Sequence, residues 1–128
     1  RLHRCAILGW GTSGLDSGSD AAPSMSALDF ASAAATAALA RAGCDGRQVG
    51  LLVYCGVYRD EFLTEPAMAS LLADRMRLHP PSADGVHPPF LAFDLLNGGV
   101  GFLQSCYVAI HRMRIKTVQR ALVTAAEI

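Results

Sequence analysis

The sequence of 128 residues has no excess of charge of either sign. Eleven Lys and Arg residues balance eleven Asp and Glu residues, and the sequence pI is about 7.1. A protein that recognises nucleic acid, or the phosphates of an anionic membrane, needs a basic field on its surface. Because that field is missing, we do not expect nucleic acid as a partner.

Long hydrophobic runs and paired cysteines are also missing. No apolar stretch approaches the roughly 18 to 20 residues that cross a bilayer, and the amino terminus lacks the zones of a signal peptide. The cysteines form no CxxC pair, and the four histidines are too dispersed for a metal cluster. We therefore expect a cytoplasmic protein with no membrane partner, no metal and no cofactor. Its thiols should be free and mostly buried, at Cys5, Cys44, Cys55 and Cys106.

Hydrophobic residues, by contrast, make up 52% of the chain, which is enough for a packed core in one domain over residues 1–128. Short apolar runs alternate with longer amphipathic stretches. This order predicts an α/β fold with a mostly parallel sheet and helices on both of its faces. The predicted strands are Arg4–Gly9 and Phe90–Leu96, both buried, Val49–Val57 as a central strand covered on both faces, and Ala121–Ala125. A turn-rich loop is predicted from Gly11 to Pro23, and the predicted helices start near Ser26, Thr64 and Gly99.

The first helix has the clearest signals of the three. Ser26 is followed three residues later by Asp29, which is typical of a capping box, and Gly43 predicts the end of an alanine-rich helix.

The second helix is predicted with Thr64 or Glu65 as its cap and Pro66 in its first turn. Four of the six prolines lie in Leu78–Pro89, which predicts a surface connection.

The third helix should run to about Lys116. It places one line of mostly apolar residues along one side, with Phe102, Cys106 and Ala109 beside it. That line consists of Val100, Leu103, Tyr107, Ile110 and Arg114.

The segment from Gly9 to Gly14 matches the pattern GxGxxG that binds dinucleotides. That pattern works when a helix follows at once and directs its amides at the pyrophosphate. Here Leu15–Pro23 separates the glycines from the first helix, so the segment is interpreted as a glycine-rich surface loop.

Three stretches carry a resemblance to a known family. They read ALDFASAAATAALARAGCDGRQVGLLVYCGV, YRDEFLTEPAMASLLADRMRL, and AFDLLNGGVGFLQSCYVAIHRM with ALVTAAEI, and together they cover most of Ser26 to Ile128. In these stretches the chain resembles the amino-terminal half of ketosynthase III (3-oxoacyl-ACP synthase III) of the thiolase superfamily. The resemblance implies a thiolase-like fold, of which this chain would be half of the αβαβα layers.

The third stretch resembles the family's nucleophile elbow, but it lacks the nucleophile. In the family a cysteine stands two residues before the Gly-Phe pair, and in this sequence that position is Gly99. A helix amino terminus favours a thiolate at that place. Glycine has no side chain to attack a thioester, so no acyl-enzyme can form at this residue. Its neighbours Asn97, Gly98 and Val100 are the predicted substrate contacts.

The second stretch contains a glutamate with two open interpretations. In olefin-forming relatives the glutamate of the matching Glu-Pro pair reaches a neighbouring chain's pocket and acts as a base, which implies that role for Glu65. Alternatively, Glu65 simply caps the second helix, and Arg59 and Asp60 are then a solvated loop pair of little energetic weight.

Other nucleophiles have less support. Cys106 lies two helical turns after Gly99, roughly 10 Å deeper, and Cys55 lies inside an apolar run, so both are predicted as packing thiols. Ser105 has no His partner at helical spacing.

The family's His and Asn lie in its carboxyl-terminal half, which the resemblance does not reach. We therefore expect a subunit or half of a ketosynthase III-like acyltransferase assembly. Its expected partners are a second thiolase-fold chain and an acyl thioester on acyl carrier protein or coenzyme A. Two alternatives stay open: the assembly condenses acyl groups at the Gly99 elbow without a covalent intermediate, or the chain is a non-catalytic interaction protein.

Overall fold

The computed structural model describes residues 6–7, 9–12, 25–62, 64–80, 85 and 89–127. Helices and strands alternate along these residues as the sequence predicts. The elements are α1 (Ala27–Ala42), β1 (Leu51–Tyr54), α2 (Met68–Arg75), β2 (Leu91–Asp94), α3 (Gly101–Arg114) and β3 (Ala121–Thr124). Short 3-10 turns occupy Gly46–Gln48, Asp60–Phe62 and Gly98–Val100.

The strands form a parallel sheet in the order β2-β1-β3. Leu51 pairs with Leu91 on one side and Ala121 on the other, and the register continues without a bulge through all three strands. Every residue of β1 is fully buried, so the predicted central strand is confirmed. Parallel neighbours need crossover connections, and helices supply them here.

The first predicted strand, Arg4–Gly9, lies largely outside the described residues. Its described members, Ala6, Ile7 and Gly9, belong to no strand. The loop predicted from Gly11 to Pro23 also lies outside the described residues, apart from Gly11 and Thr12.

The two faces of the sheet have separate hydrophobic cores. Because side chains alternate along a strand, Leu52 and Tyr54 of β1 face α1 and α2, whereas Leu51 and Val53 pack with Ala109 of α3. The order of layers is therefore α1 with α2, then the sheet, then α3.

Helix α1 has the predicted ends. Ser26 Oγ accepts the amide of Asp29 at 3.1 Å, and the Asp29 carboxylate accepts the amide of Ser26 at 2.9 Å. Gly43 takes the left-handed conformation, with φ of 60°, that ends many helices. Arg75 of α2 also pairs with Asp29, and these bonds together hold the pKa of Asp29 below its usual value.

Helix α2 does not begin as predicted. Neither Thr64 nor Glu65 caps it, because it starts at Met68 after an Ala67 that supplies no side-chain bond. The two oxygens of Asp94 accept the amides of Met68 and Ala69 instead, at 2.9 and 2.8 Å. The capping interpretation of Glu65 is therefore wrong, because a carboxylate from the end of β2 already occupies the helix terminus.

The interpretation of Arg59 and Asp60 as a solvated pair is also wrong. Arg59 Nη1 lies 2.7 Å from Asp94 Oδ2, with the two side chains only 2% and 11% exposed. Arg59 Nε also donates to the carbonyl of Gly56 at 3.2 Å. Asp60 Oδ1 accepts the amide of Ala27 at 2.8 Å and so binds the start of α1.

Two expectations about burial fail as well. The segment Phe90–Leu96 was expected to be a buried strand, but β2 is an outer strand of the described sheet and Leu91 is 41% exposed. The connection Leu78–Pro89 was expected on the surface, but its first residue, Leu78, belongs to the core beside α1 and α2.

We predict that Asp94→Asn lowers the free energy of unfolding by about 3 kcal/mol. The substitution keeps the size of the side chain. It removes the negative charge that faces the buried Arg59. It also replaces one carboxylate oxygen, which accepts hydrogen bonds, with an amide NH2 group that can only donate. Urea unfolding followed by circular dichroism measures the change.

Asp45→Asn is the matched control, because the pair of Asp45 and Arg47, at 2.6 Å, is exposed. An exposed pair contributes little. Equal unfolding midpoints for the two variants would show that the Asp94 contacts do not stabilise the fold.

Candidate functional site

The elbow that the sequence singled out lies between β2 and α3. Asn97 follows the end of the strand, the 3-10 turn Gly98–Val100 reverses the chain, and α3 begins at Gly101. Gly98 has φ of 45°, which favours glycine. Residues 97–100 are all exposed. The predicted passage from strand to helix is therefore confirmed, while the role of these residues in substrate binding stays a prediction.

Gly99 stands in open space. A Cβ atom built there meets no atom of the described residues within 4 Å, and the backbone is not left-handed. An L-residue therefore fits this position without strain. Packing does not demand glycine at the position where the family keeps its cysteine.

Gly101, two residues further, is held much more closely. A Cβ there would lie 3.3 Å from the carbonyl oxygen of Leu95 and 3.4 Å from that of Cys55. The start of α3 thus presses against the carboxyl ends of β1 and β2. This contact fixes where the elbow sits.

The other predicted elbow residues lie on the same turn. Asn97 Nδ2 donates to Gln104 Oε1 at 2.8 Å, which ties the side chain to the first turns of α3. Val100 is exposed.

Glu65 lies at the same edge of the sheet as the elbow. It is exposed and stands three residues before Met68, whose amide Asp94 binds. Asp94 in turn stands three residues before Asn97. Asp94 therefore connects the segment that carries Glu65 to the segment that carries Gly99.

The thiols near the elbow are not activated. Cys55 is buried and donates to the carbonyl of Thr124 at 3.4 Å, and burial raises the pKa of its thiol. Burial also raises the pKa of the half-buried Cys106. The three described cysteines are free, but only Cys55 is fully buried, which corrects the expectation of mostly buried thiols. Ser105 Oγ donates to the carbonyl of Gly101 at 2.8 Å, a bond within its own helix.

The glycines of the GxGxxG segment serve close packing. A Cβ atom on Gly9 would lie 2.6 Å from the carbonyl oxygen of Ala38. A Cβ atom on Gly11 would lie 2.4 Å from the carbonyl oxygen of Ala34. These glycines lie against the middle and end of α1, away from any helix amino terminus. The interpretation as a loop is supported, although Gly14 lies outside the described residues.

Within the described ranges, no three His, Cys, Asp or Glu side chains gather closely enough to hold a metal ion. None of the helices found in those ranges has both the length and the apolar character needed to cross a bilayer.

Sequence reasoning missed Arg59 and Asp94, although both stand in the quoted stretches. The available signal was a carboxylate inside the apolar run FLAFDLL. A charge in such a run needs a partner, and an arginine just after a buried strand is a suitable one.

Solved structures with the same fold are ketosynthases. The 3-oxoacyl-(acyl carrier protein) synthase III of Aquifex aeolicus matches with a TM-score of 0.68 and 20% identity, over 83% of this chain and 31% of that one. The synthase III of Xanthomonas oryzae pv. oryzae matches with a TM-score of 0.67 and 28% identity, over 80% of this chain and 27% of that one. OleA of Xanthomonas campestris, solved as a cysteine-to-serine variant with lauric acid and lauroyl-CoA bound, matches with a TM-score of 0.68 and 27% identity. The match covers 80% of this chain and 27% of that one.

The chain has the thiolase-like fold of ketosynthase III enzymes. It spans only 27% to 31% of the length of these ketosynthases. No protein-family model and no curated protein matches the sequence. The predicted fold class and the resemblance to ketosynthase III are confirmed.

We predict opposite responses to alanine at the two glycines of this ketosynthase-like elbow. Gly101→Ala should lower the free energy of unfolding by up to about 1 kcal/mol, because the new methyl group lies 3.3 Å from a backbone oxygen of Leu95, closer than most such contacts. Gly99→Ala should leave it unchanged or raise it by about 0.5 kcal/mol, because the folded chain has room and the unfolded chain loses freedom. Chemical denaturation of both variants makes the comparison. A loss at Gly99 as large as that at Gly101 would contradict the open geometry of the elbow.

Proposed function

We propose that this chain is half of a ketosynthase III-like assembly that acts on acyl thioesters, and that it lacks the nucleophile itself. The observation that carries the proposal is the elbow: its strand, turn and helix are in place, while Gly99 supplies no side chain and the space around it is open. A decayed fold would not need to hold α3 against β1 and β2. Altered chemistry on a retained scaffold accounts for both features.

The outer side of α3 supports the existence of a complementary half. Leu103, Tyr107 and Ile110 point away from the sheet and are 68%, 65% and 41% exposed. Contiguous apolar surface of this kind marks an interaction site. In a thiolase-like αβαβα fold a second sheet covers such a helix. Either a second thiolase-fold chain or further residues of the same polypeptide would provide it.

Glu65 is proposed as a base that serves a neighbouring chain. Its carboxylate is exposed, and the helix that follows it takes its cap from Asp94. Arg59 and Asp94 anchor the segment on both sides of Glu65. In this role Glu65 takes a proton from the carbon beside the thioester carbonyl of a bound substrate. That carbon then attacks the acyl group held in the neighbour's pocket, and a thiolate leaves.

The similar structures support the substrate class in this proposal. OleA was solved with lauroyl-CoA, and the synthase III enzymes are named for acyl carrier protein. We propose that Asn97, Gly98 and Val100 line the pocket for such a thioester. Coenzyme A and acyl carrier protein present the same acyl thioester, so the proposal covers both carriers.

One observation favours a second candidate function. The open space at Gly99 would let a thioester lie directly against the amides at the start of α3, so that condensation needs no covalent intermediate. Turnover by an assembly whose other chain has lost its cysteines would favour this candidate over the first.

We predict that the parent chain forms no thioester with lauroyl-CoA at neutral pH, and that Gly99→Cys does. A thiol at residue 99 would stand before the amino end of α3, where the helix favours the thiolate. Burial disfavours the thiolates of Cys55 and Cys106. Peptide mass spectrometry without reducing agent locates the acyl group.

Val100→Cys is the matched control, because it places an exposed thiol one residue away. Acylation at residue 99 should be faster by about tenfold. Equal rates at residues 99 and 100 would contradict the assignment of the elbow, and acylation of the parent chain would contradict the absence of a nucleophile.

A further inference from the structure

Side-chain amides are few in this chain, and they concentrate at the elbow. The sequence contains one Asn and three Gln residues. Asn97 and Gln104 bond to each other at the elbow, whereas Gln48 lies before β1 and Gln119 before β3. The bond joins the end of β2 to the first turns of α3, so it spans the turn that contains Gly99. We call Asn97 and Gln104 the amide pair.

The amide pair does not cap the turn that it spans. Asn97 occupies the cap position of the 3-10 turn Gly98–Val100, but its side chain bonds no backbone amide there. Asparagine is among the residues that helices prefer as a cap, because its carbonyl oxygen accepts such an amide. Here the side chain turns to Gln104 instead. The carbonyl oxygen of Asn97 is therefore left for another donor.

Each end of the amide pair has an unfilled hydrogen-bonding group. Asn97 Nδ2 donates to Gln104 Oε1 at 2.8 Å, and within the described residues neither Asn97 Oδ1 nor Gln104 Nε2 bonds another group. The pair thus presents an acceptor at one end and a donor at the other. If the two amides exchange roles in their shared bond, the ends exchange as well, and one acceptor and one donor remain.

The stretch of chain around the amide pair carries no charge. From Leu95 to Ile110 the sequence contains no Asp, Glu, Lys or Arg residue. Leu96, Val100 and Phe102 are apolar and exposed. The hydroxyl of Ser105 is buried and bonds within its own helix. An apolar surface with a few placed polar groups is typical of small-molecule sites, and the lack of charge suits an uncharged group of the ligand.

The two unfilled ends favour a ligand with more than one amide. A trans amide has its N–H and its carbonyl on opposite sides, so a single amide fills one end of the pair and not both. A carboxylate only accepts hydrogen bonds, and an ammonium group only donates them. The pantetheine arm of coenzyme A and of acyl carrier protein is uncharged, and it contains two amides close to the sulfur that carries the acyl group.

We propose that the amide pair binds the two amides of a pantetheine arm beside Gly99. One N–H of the arm donates to Asn97 Oδ1, and one carbonyl of the arm accepts from Gln104 Nε2. Consecutive amide hydrogen bonds polarise one another, so the bond within the pair strengthens the two bonds to the arm. This inference rests on the proposed function, because it names the part of the thioester carrier that the elbow recognises. It adds Gln104 to the proposed substrate contacts.

An NMR titration of the full chain with the S-methyl thioether of pantetheine tests the proposal. One Asn and three Gln residues give four pairs of side-chain NH2 signals. The signals of Asn97 and Gln104 should shift, while those of Gln48 and Gln119 are internal controls and should not. An analogue with esters in place of both amides keeps the carbonyls but lacks the N–H groups. Its Kd should be about fivefold higher, because it loses the bond to Asn97.

Variants of the full chain locate the donor. Gln104→Met removes the amide, keeps the length of the side chain, and should raise the Kd for the arm about fivefold. Gln119→Met is the matched control, because it makes the same change at an exposed residue outside the elbow, and it should leave the Kd unchanged. Circular dichroism checks that both variants fold. The comparison of amide and ester arms uses the parent chain and does not depend on either variant.

Coenzyme A and holo-acyl carrier protein are titrated next, since both present the arm. The carrier that binds more tightly than the S-methyl arm is assigned as the source of the arm. Either carrier supports the amide pair as the site when Gln104→Met weakens its binding about fivefold, and overturns it when Gln104→Met has no effect.

Three further results would overturn the proposal. Equal Kd values for the amide and ester arms, or no shift at Asn97 and Gln104, would leave the bond as a structural link within the elbow. Equal or tighter binding of the peptide mimic acetyl-diglycine methylamide would assign the pair to a peptide backbone. The S-methyl arm carries no thioester, so failure here is distinct from failure of the acylation experiment with Gly99→Cys.

Discussion

The carboxylate of Asp94 holds the carboxyl edge of the sheet together. It accepts the first amides of α2, and it forms a buried ion pair with Arg59 beyond the end of β1. Arg59 in turn binds the carbonyl of Gly56, and its guanidinium lies 5.4 Å from the centre of the Tyr54 ring. A buried charge is tolerated only when such bonds replace its water. One side chain thereby fixes a strand, a helix and the loop between them.

The elbow and the Glu65 segment both depend on this arrangement. Asp94 precedes the elbow along the chain, and its bonds to α2 set the point at which the Glu65 segment returns to the sheet. Gly101 lies closer to its neighbours, because a Cβ atom there would be 3.3 Å from the carbonyl oxygen of Leu95 and 3.4 Å from that of Cys55. A Cβ atom on Gly99 would meet no described atom within 4 Å. Packing among the described residues therefore does not require glycine at residue 99.

Local signals predicted part of this structure well. The capping box of Ser26 and Asp29, the glycine stop at Gly43 and the apolar run of β1 all concern residues near one another in sequence, and all three appear in the fold. The start of α2 was missed because its cap comes from Asp94, 26 residues further along the chain than Met68. The Arg59–Asp94 pair was missed for the same reason. Periodicity placed Leu103, Tyr107 and Ile110 on one side of α3, and the described residues leave that side exposed.

We propose that α3 is a middle layer, packed on its own sheet and covered by a complementary half. Hydroxyl-radical footprinting of the complete assembly, read at Leu103, Tyr107 and Ile110, measures whether this side of α3 is covered. Oxidation of these side chains should fall by about tenfold relative to the chain alone, while oxidation of the exposed Trp10, which lies against α1, should stay unchanged. Equal oxidation of Leu103, Tyr107 and Ile110 in the assembly and in the chain alone would contradict the burial of this side of α3.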